Sequence, residues 1–235
     1  VISYNHGKFA VMSELTYPRF SILDPTYTYS LPPIQVANGI VDAFVHTLEQ
    51  YMTFPVDARI QDRMAEGILS TLIEIGPATI AQPERYDDRA NLMWSATMAL
   101  NGMIGVGVPQ DWATHMIGHE LTALFGIDHG QTLAIIYPAV MEVMRSQKRA
   151  KIVQYAERVW GISGGDENEI IDLAIHKTRQ FFENLGIKTR LSAHGVGEEQ
   201  IPVIVEQLKK HGMVALSETG RITPEVSQAI LMRAL

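Results

Sequence analysis

The sequence has no cysteine, no excess of positive charge and no long apolar run. The lack of cysteine excludes disulfide bonds, thiolate metal ligands and a cysteine nucleophile. The formal net charge of −7 argues against nucleic acid or an anionic membrane as the main partner, because both attract clustered Lys and Arg. There is no signal-peptide pattern and no stretch of about 18 unbroken apolar residues. These absences favour a cytoplasmic enzyme or binding domain.

The first part of the chain predicts strands that lack a sheet. The chain opens with VISYNHGKFAVMS, without an initiator Met, which indicates a fragment that begins inside a folded domain. Alternating apolar and polar residues within 8–24 predict two short strands, around positions 9–11 and 20–22. An isolated two-stranded hairpin is only marginally stable. We therefore expect residues 1–31 to be the trailing strands of a missing upstream domain.

From the two prolines at positions 32 and 33 onward, apolar residues recur at helical spacing. The sequence therefore predicts a mainly α fold, a multi-helical domain over residues 32–235 with one or two leftover β-strands before it. The apolar helices are compatible with a homodimer. The predicted helices lie near residues 33–52, 57–75, 86–103, 110–125, 130–144, 147–160, 167–185, 198–211 and 223–234.

The first candidate site lies in DAFVHTLEQY, residues 42–51. Asp42 and His46 are four residues apart in a predicted helix, so their Cβ atoms lie on one face about 5–6 Å apart. Both side chains can then reach one metal ion. Glu49, one turn beyond His46, can hold a ring N–H from outside the ligand shell. Taken alone, the motif is more typical of a simple helical ion pair or a capped core histidine.

The second candidate site is HMIGHELTALFGIDHG, residues 115–130. His115 and His119 share a helix face, and Gly126 allows the chain to turn so that His129 returns over the end of that helix. Three imidazoles and one carboxylate are a suitable ligand set for Fe²⁺ or Zn²⁺. Structural packing of the histidines is the alternative. The remaining histidines lack an acidic or histidine partner at ligand spacing and are interpreted as surface or capping residues: His6, His176, His194 and His211.

Together these motifs resemble the iron-containing (group III) alcohol dehydrogenases, in particular the NADP-dependent butanol dehydrogenase-like aldehyde reductases. The resemblance implies a dehydroquinate synthase-like fold, in which an α/β dinucleotide-binding domain precedes an all-helical metal domain. The resemblance thus implies that residues 1–31 are the trailing strands of the missing N-terminal dinucleotide-binding domain, and that residues 32–235 are the all-helical metal-binding catalytic domain. The resemblance is carried by DPTYTYSLPP (24–33), GIVDAFVHTLEQY (39–51), ALNG (99–102), DWATHMIGHELTALFGIDHG (111–130) and YAERVWGI (155–162).

The resemblance also implies roles for single residues. It places His119 beside the nicotinamide as a catalytic residue that is not a metal ligand, and it matches Lys8 to a lysine that faces the cofactor. The sequence departs from the common family pattern at Glu120 and Asp128, where proline is frequent. The glycine-rich pyrophosphate motif of the family is not found in this sequence, so we expect the chain alone to bind NAD(P) poorly and to be inactive. The implied metal ligands are Asp42, His46, His115 and His129.

The activity implied for the complete protein is hydride transfer between NADPH or NADH and small alcohols or aldehydes. Fe²⁺ or Zn²⁺ would act as a Lewis acid on the substrate oxygen. Two other classes stay open. One is a metal-dependent hydrolase with a helical His/Asp site, which would need a nearby general base or a second set of ligands. The other is a helical interaction domain in which the histidines are incidental.

Overall fold

The computed structural model describes residues 2–4, 7–9 and 13–235, and within them a short β-hairpin precedes nine α-helices. The hairpin pairs β1 (Ile2–Tyr4) antiparallel with β2 (Gly7–Phe9). The mainly α fold expected from the sequence is confirmed. The helices are α1 (Pro33–Tyr51), α2 (Arg59–Ala81), α3 (Tyr86–Leu100), α4 (Ala113–Phe125), α5 (His129–Val143), α6 (Arg145–Arg158), α7 (Glu167–Asn184), α8 (Ile201–Lys210) and α9 (Pro224–Arg233).

The hairpin lies earlier in the chain than the pattern predicted. The strand expected around positions 9–11 overlaps β2 at Phe9, and residues 10–12 lie outside the described residues. The strand expected around positions 20–22 is wrong, because these residues form irregular chain with Phe20 and Ile22 80% and 84% exposed. Alternation predicts a strand only where a sheet neighbour and a core cover its apolar side. Among the described residues nothing covers this segment.

The central helix of the fold is α1, which packs against α2, α3 and α5. It begins with a proline at its first position, where the missing N–H costs no helical hydrogen bond. Val36, Ile40, Phe44 and Leu48 recur every four residues, and each is at most 2% exposed. Because α1 is covered on most of its circumference, its polar residues are also buried and need partners inside the fold.

Helix α5 joins the two hydrophobic cores. Leu133 and Tyr137 belong to the core around α1, α2 and α7, whereas Ile136 and Val140 belong to the core that includes α4, α8 and α9. This double burial holds the first residue of α5 between α1 and α4. Although α5 is apolar on nearly all sides, neither it nor any other helix in the described residues is long and apolar enough to span a membrane.

Candidate metal centre

Two glycines allow the three helices with candidate ligands to approach closely. A Cβ atom added at Gly130 would lie 2.5 Å from the backbone oxygen of Asn38, where the start of α5 crosses α1. A Cβ atom added at Gly118 would lie 2.7 Å from Oγ1 of Thr132, where α4 crosses α5. A side chain at either glycine would push a helix pair apart. The ligand-bearing faces of α1, α4 and α5 therefore meet in one place.

The turn between α4 and α5 brings His129 to this meeting point. Helix α4 ends at Gly126, whose φ of 67° is left-handed and suits glycine. Asp128 precedes α5, and its Oδ2 accepts a hydrogen bond of 3.0 Å from Nδ2 of Asn38 on α1. Asp128 occupies a position at which proline is frequent in the family that the sequence resembles. In this chain it ties the first turn of α5 to α1.

Asp42 lies at the centre of three imidazoles. Its Oδ1 atom is 3.5 Å from Nδ1 of His46, 3.6 Å from Nε2 of His115 and 3.6 Å from Nε2 of His129. These distances are too long for direct hydrogen bonds. They match a ligand shell instead, because ligands about 2.1 Å from a tetrahedral ion stand about 3.4 Å from one another.

The predicted ligands do not all take part equally. One donor atom from each of Asp42, His115 and His129 lies within 4.8 Å of the other two, so these three can surround one ion. His46 adjoins this group, with its ring stacked on that of His115 at a centroid distance of 4.5 Å. The structure thus brings all four side chains together, with three of them already at ligand spacing.

Two atoms of the group indicate most clearly that it fits a cation. Oδ1 of Asp42 and Nε2 of His115 are both buried, and neither has a hydrogen-bond partner among the described residues. Buried polar atoms without partners are costly and rare. Here an acceptor and an imidazole nitrogen face the same small space. These residues fit a divalent metal ion.

Glu49 orients the most buried ligand. It is 1% exposed, and its Oε2 accepts a hydrogen bond from Nδ1 of His115, while its Oε1 accepts one of 2.6 Å from the backbone N–H of Thr114. A hydrogen bond at Nδ1 directs Nε2 toward Asp42. The sequence suggested such a role for Glu49 beside His46, but the structure places it on His115.

Burial and carboxylates set the charge of the imidazoles. Burial lowers the pKa of His129 to about 3 and that of His119 to about 4, so both rings are neutral at pH 7, the form that binds metals. Burial acts in the same direction on His115, but the carboxylates of Glu49 and Asp42 outweigh it and raise the pKa of His115 to about 9. A proton on His115 thus offsets the negative charges of Glu49 and Asp42, as a bound cation would.

His119 and Lys8 lie beside the ligand group. The His119 ring is 5.2 Å from the His129 ring and 6.4 Å from the His115 ring, centroid to centroid, and His119 is 5% exposed. Strand β2 contacts α4, and the charge of its half-buried Lys8 helps to lower the pKa of both His119 and His129. All six site residues predicted from the sequence therefore lie in one region.

Sequence reasoning missed two contacts of this region. Trp112 precedes α4 with a left-handed φ of 62°, and its ring lies 5.8 Å from that of His46 and 5.3 Å from that of His115. His211 was interpreted as a surface or capping residue, and it does cap the C-terminal end of α8, but its Nδ1 also lies 2.7 Å from Oε1 of Glu120. These two residues are 91 positions apart. Spacing rules for a single helix cannot find such a pair.

Comparison with known proteins gives matches over most of the chain. Residues 36–231 match the family model described as Fe-containing alcohol dehydrogenase family, C-terminal. The chain is 60% identical over 223 residues to the NADPH-dependent aldehyde reductase YqhD of Escherichia coli K12, covering 95% of this chain and 58% of that protein. It is 41% identical over 196 residues to NADH-dependent butanol dehydrogenase B of Clostridium acetobutylicum, covering 82% of this chain and 50% of that protein.

Solved structures agree with the fold. The crystal structure of E. coli YqhD matches with a TM-score of 0.94 and covers 95% of this chain and 57% of its own. NADH-dependent butanol dehydrogenase A from Thermotoga maritima, 34% identical, matches with a TM-score of 0.90 over 97% of this chain and 59% of its own. The chain thus spans between half and three fifths of the length of these similar proteins.

Proposed function

This chain belongs to the iron-containing alcohol dehydrogenase family, and we propose that the protein containing it transfers hydride between NADPH or NADH and a small alcohol or aldehyde. The observation that carries the proposal is the buried Asp42 Oδ1, without a hydrogen-bond partner among the described residues and 3.6 Å from the Nε2 atoms of both His115 and His129. The 60% identity to a protein named as an NADPH-dependent aldehyde reductase supports NADPH and aldehydes as the first pair to assay.

We propose that Asp42, His46, His115 and His129 hold the metal ion. Neutral imidazoles with one carboxylate accept either Fe²⁺ or Zn²⁺. The bound ion supplies a Lewis acid for the substrate oxygen. The side chains of Asp42 and His129 are 34% and 24% exposed, against 6% for His115. The group is therefore more exposed at Asp42 and His129 than at His115, and we expect a small substrate to reach it from that side.

His119 and Lys8 are proposed to face the cofactor. His119 is neutral at pH 7, because its pKa is about 4, so its ring can both accept and donate a hydrogen bond at the nicotinamide or pass a proton toward water. The ammonium group of Lys8 can hold a ribose or phosphate oxygen of the dinucleotide. Because the proposed reaction requires NADPH or NADH, we propose that the protein is located in the cytoplasm. Exposed apolar side chains such as Leu15 and Tyr27, 95% and 84% exposed, are compatible with a homodimer.

Metal content and NADPH oxidation in the complete natural protein test this function. We expect about one metal ion per chain after stripping with a chelator and reloading with Fe²⁺ or Zn²⁺, and NADPH oxidation with butanal only in the loaded form. The variant His115→Ala/His129→Ala should bind no metal by mass spectrometry. His119→Ala should keep its metal but lose turnover by about 10²-fold to 10⁴-fold, the usual worth of an acid–base group.

Two outcomes would contradict the proposal. Metal-loaded protein that hydrolyses phosphoesters and leaves NADPH unchanged would support the hydrolase alternative instead. No contact among the described residues favours that alternative. Absence of bound metal in both the wild type and the double variant would favour incidental histidines. His194→Ala serves as a matched control, because His194 is half-buried and its one ring hydrogen bond within the described residues joins Nε2 to the backbone oxygen of Lys188 at 3.3 Å.

A further inference from the structure

A buried glutamate lies next to the proposed nicotinamide histidine and outside the ligand group. Glu120 on α4 is 4% exposed, and its Oε1 accepts a hydrogen bond of 2.7 Å from Nδ1 of His211, which follows the last residue of α8. Its Oε2 is buried without a partner among the described residues. The neighbouring core positions of α4, Ile117 and Leu121, are apolar and fully buried. A buried carboxylate there costs stability, so packing alone does not account for it.

The His211 ring supports strand β2. The ring of Phe9 meets it edge to face, with centroids 5.3 Å apart and planes at 74°. A Cβ atom added at Gly7 would lie 3.4 Å from Cε1 of His211 and 2.5 Å from Cζ of Phe9. The glycine thus leaves room for the Phe9 ring to fold over the strand beside His211. Gly7 and Phe9 lie on one face of the strand, and Lys8 lies on the other.

The position of Lys8 depends on this support. In the described residues β2 pairs with β1 alone, and a two-stranded hairpin is marginal by itself. The hairpin is therefore held by what it packs against, which is α4 and the His211 ring. Lys8 is close enough to the centre for its charge to act on His119 and His129, while Asp42 acts on Lys8 in turn.

We propose that Glu120 and His211 form a positioning pair for the nicotinamide cofactor. The Glu120 carboxylate fixes the His211 ring, the ring supports β2, and β2 presents Lys8 to the reduced dinucleotide. Neither member of the pair touches the reacting atoms. The inference rests on the proposed function, because it takes Lys8 to face the cofactor. It assigns roles to a glutamate and a histidine that the metal centre does not use.

The test is NADPH affinity in the complete protein, measured from the fluorescence of the bound nicotinamide. Glu120→Leu keeps the side-chain volume but removes the acceptor, and we expect it to raise the Kd of NADPH about threefold to tenfold. Metal content and the KM for aldehyde should not change. Glu120→Gln keeps an acceptor for His211 and should stay near the wild-type Kd. Glu142→Leu, which breaks the pairs of Glu142 with Arg179 (3.2 Å) and with Arg233, is the matched control and should leave Kd unchanged.

A double-mutant cycle separates positioning from a general structural role. In a Lys8→Ala background, Glu120→Leu should cause no further loss of NADPH affinity, because the residue that it positions is gone. Equal losses in both backgrounds, or a lower melting temperature with no change in Kd, would overturn the inference. Wild-type protein that binds metal but not NADPH would overturn the proposed function as well. If Glu120→Leu does not fold, His211→Phe gives the same comparison, since it keeps an aromatic ring beside Phe9 and removes Nδ1.

Discussion

Helix α1 contributes to two buried polar regions that differ in whether their buried polar groups have partners within the chain. The first region, which we name the metal group, consists of Asp42, His46, His115 and His129. Its imidazole nitrogens lie 3.5–3.6 Å from Oδ1 of Asp42, and this oxygen and Nε2 of His115 are buried without a hydrogen bond among the described residues. At the end of α1 the buried Nζ of Lys148 donates to the Met52 carbonyl at 2.6 Å and lies 2.6 Å from Asp111 Oδ2 and 3.2 Å from Glu218 Oε2. We name the latter the lysine cluster.

A second lysine of α6 extends the lysine cluster along the same side of α1. Nζ of Lys151 is 2.6 Å from Oδ1 of Asp62 and 4.1 Å from the centroid of the Tyr51 ring. The Tyr51 hydroxyl donates to Glu66 at 3.0 Å, and burial, with the nearby carboxylates, raises the pKa of Tyr51. These charges find partners of opposite sign within the chain.

The difference between the two regions separates structure from ligand binding. A buried charge whose partners are all supplied by the fold specifies how helices pack. A buried group whose potential partners all lie beyond hydrogen-bond distance is instead suited to a further atom between them. By this criterion the lysine cluster joins α6 to α2, to the end of α1 and to the segment before α4, whereas the geometry of the metal group fits an ion.

The largest effect is expected from breaking the lysine cluster. Lys148→Met leaves the carboxylates of Asp111 and Glu218 buried without their cation, so the free energy of unfolding should fall by about 3–5 kcal/mol. Urea denaturation measures the loss. Lys209→Met is the control, because Lys209 is exposed and its 3.8 Å pair with Glu206 should contribute at most about 1 kcal/mol. Similar losses in the two variants would show that the lysine cluster is not a structural unit.

Local periodicity predicted most of the fold but not these clusters. The helix expected at 33–52 is observed as Pro33–Tyr51, because its apolar residues recur with the helical period. The helix expected to stop at position 75 continues through Pro77 to Ala81, since the packing of Gly76 against Phe181 and Leu185 supports the chain there. A local breaker signal is overridden where tertiary contacts hold the helix.

The site was predictable to the extent that its residues are close in sequence. The pair of Asp42 and His46 lies on one helix, so the four-residue rule finds it. The partners that orient the ligands come from distant elements: Glu49 and His115 are 66 positions apart. No spacing rule connects α1 with the start of α4, and the left-handed Trp112 before α4 has no sequence signature. The sequence thus predicts the candidate ligands but not the residues that hydrogen-bond to them or pack against them.

A smaller effect, through pH, is expected from the imidazoles in and beside the metal group in metal-free protein. The folded pKa values of His119 and His129, about 4 and 3, lie below the unfolded value of 6.5. Their contribution to stability is therefore complete above pH 6.5 and is lost as pH falls toward 3. For His119 the loss is on the order of 2–3 kcal/mol.

The raised pKa of His115, about 9, has the opposite sign. Its contribution is complete below pH 6.5 and is lost as pH rises through 9. Urea titrations of metal-free protein from pH 3 to pH 9 measure both losses. His119→Gln should remove its share of the acid loss and leave the alkaline loss unchanged. An acid loss of the same size in wild type and variant would contradict this assignment.

The smallest effect is expected at Glu49, a buried carboxylate beside the metal group whose two oxygens both have hydrogen-bond partners, as the charges of the lysine cluster do. Glu49 is fully paired, with Thr114 and His115, yet its purpose in our interpretation is to orient a ligand. Glu49→Gln keeps the size of the side chain and an acceptor oxygen but removes the charge that holds the His115 ring. We expect about tenfold to hundredfold weaker Zn²⁺ binding, or about 1.4–2.7 kcal/mol, the usual cost of losing such a partner.

Metal competition with a chromophoric chelator measures this affinity, and thermal unfolding of the metal-free protein measures stability. Gln50→Glu is a matched control, since Gln50 is buried next to Glu49 but its amide donates to the carbonyls of His46 and Ala99, not to a ligand ring. It should lower stability and leave Zn²⁺ affinity unchanged. If Glu49→Gln instead lowers stability and leaves Zn²⁺ affinity unchanged, then Glu49 has a structural role like that of the lysine cluster and does not orient His115 for metal binding.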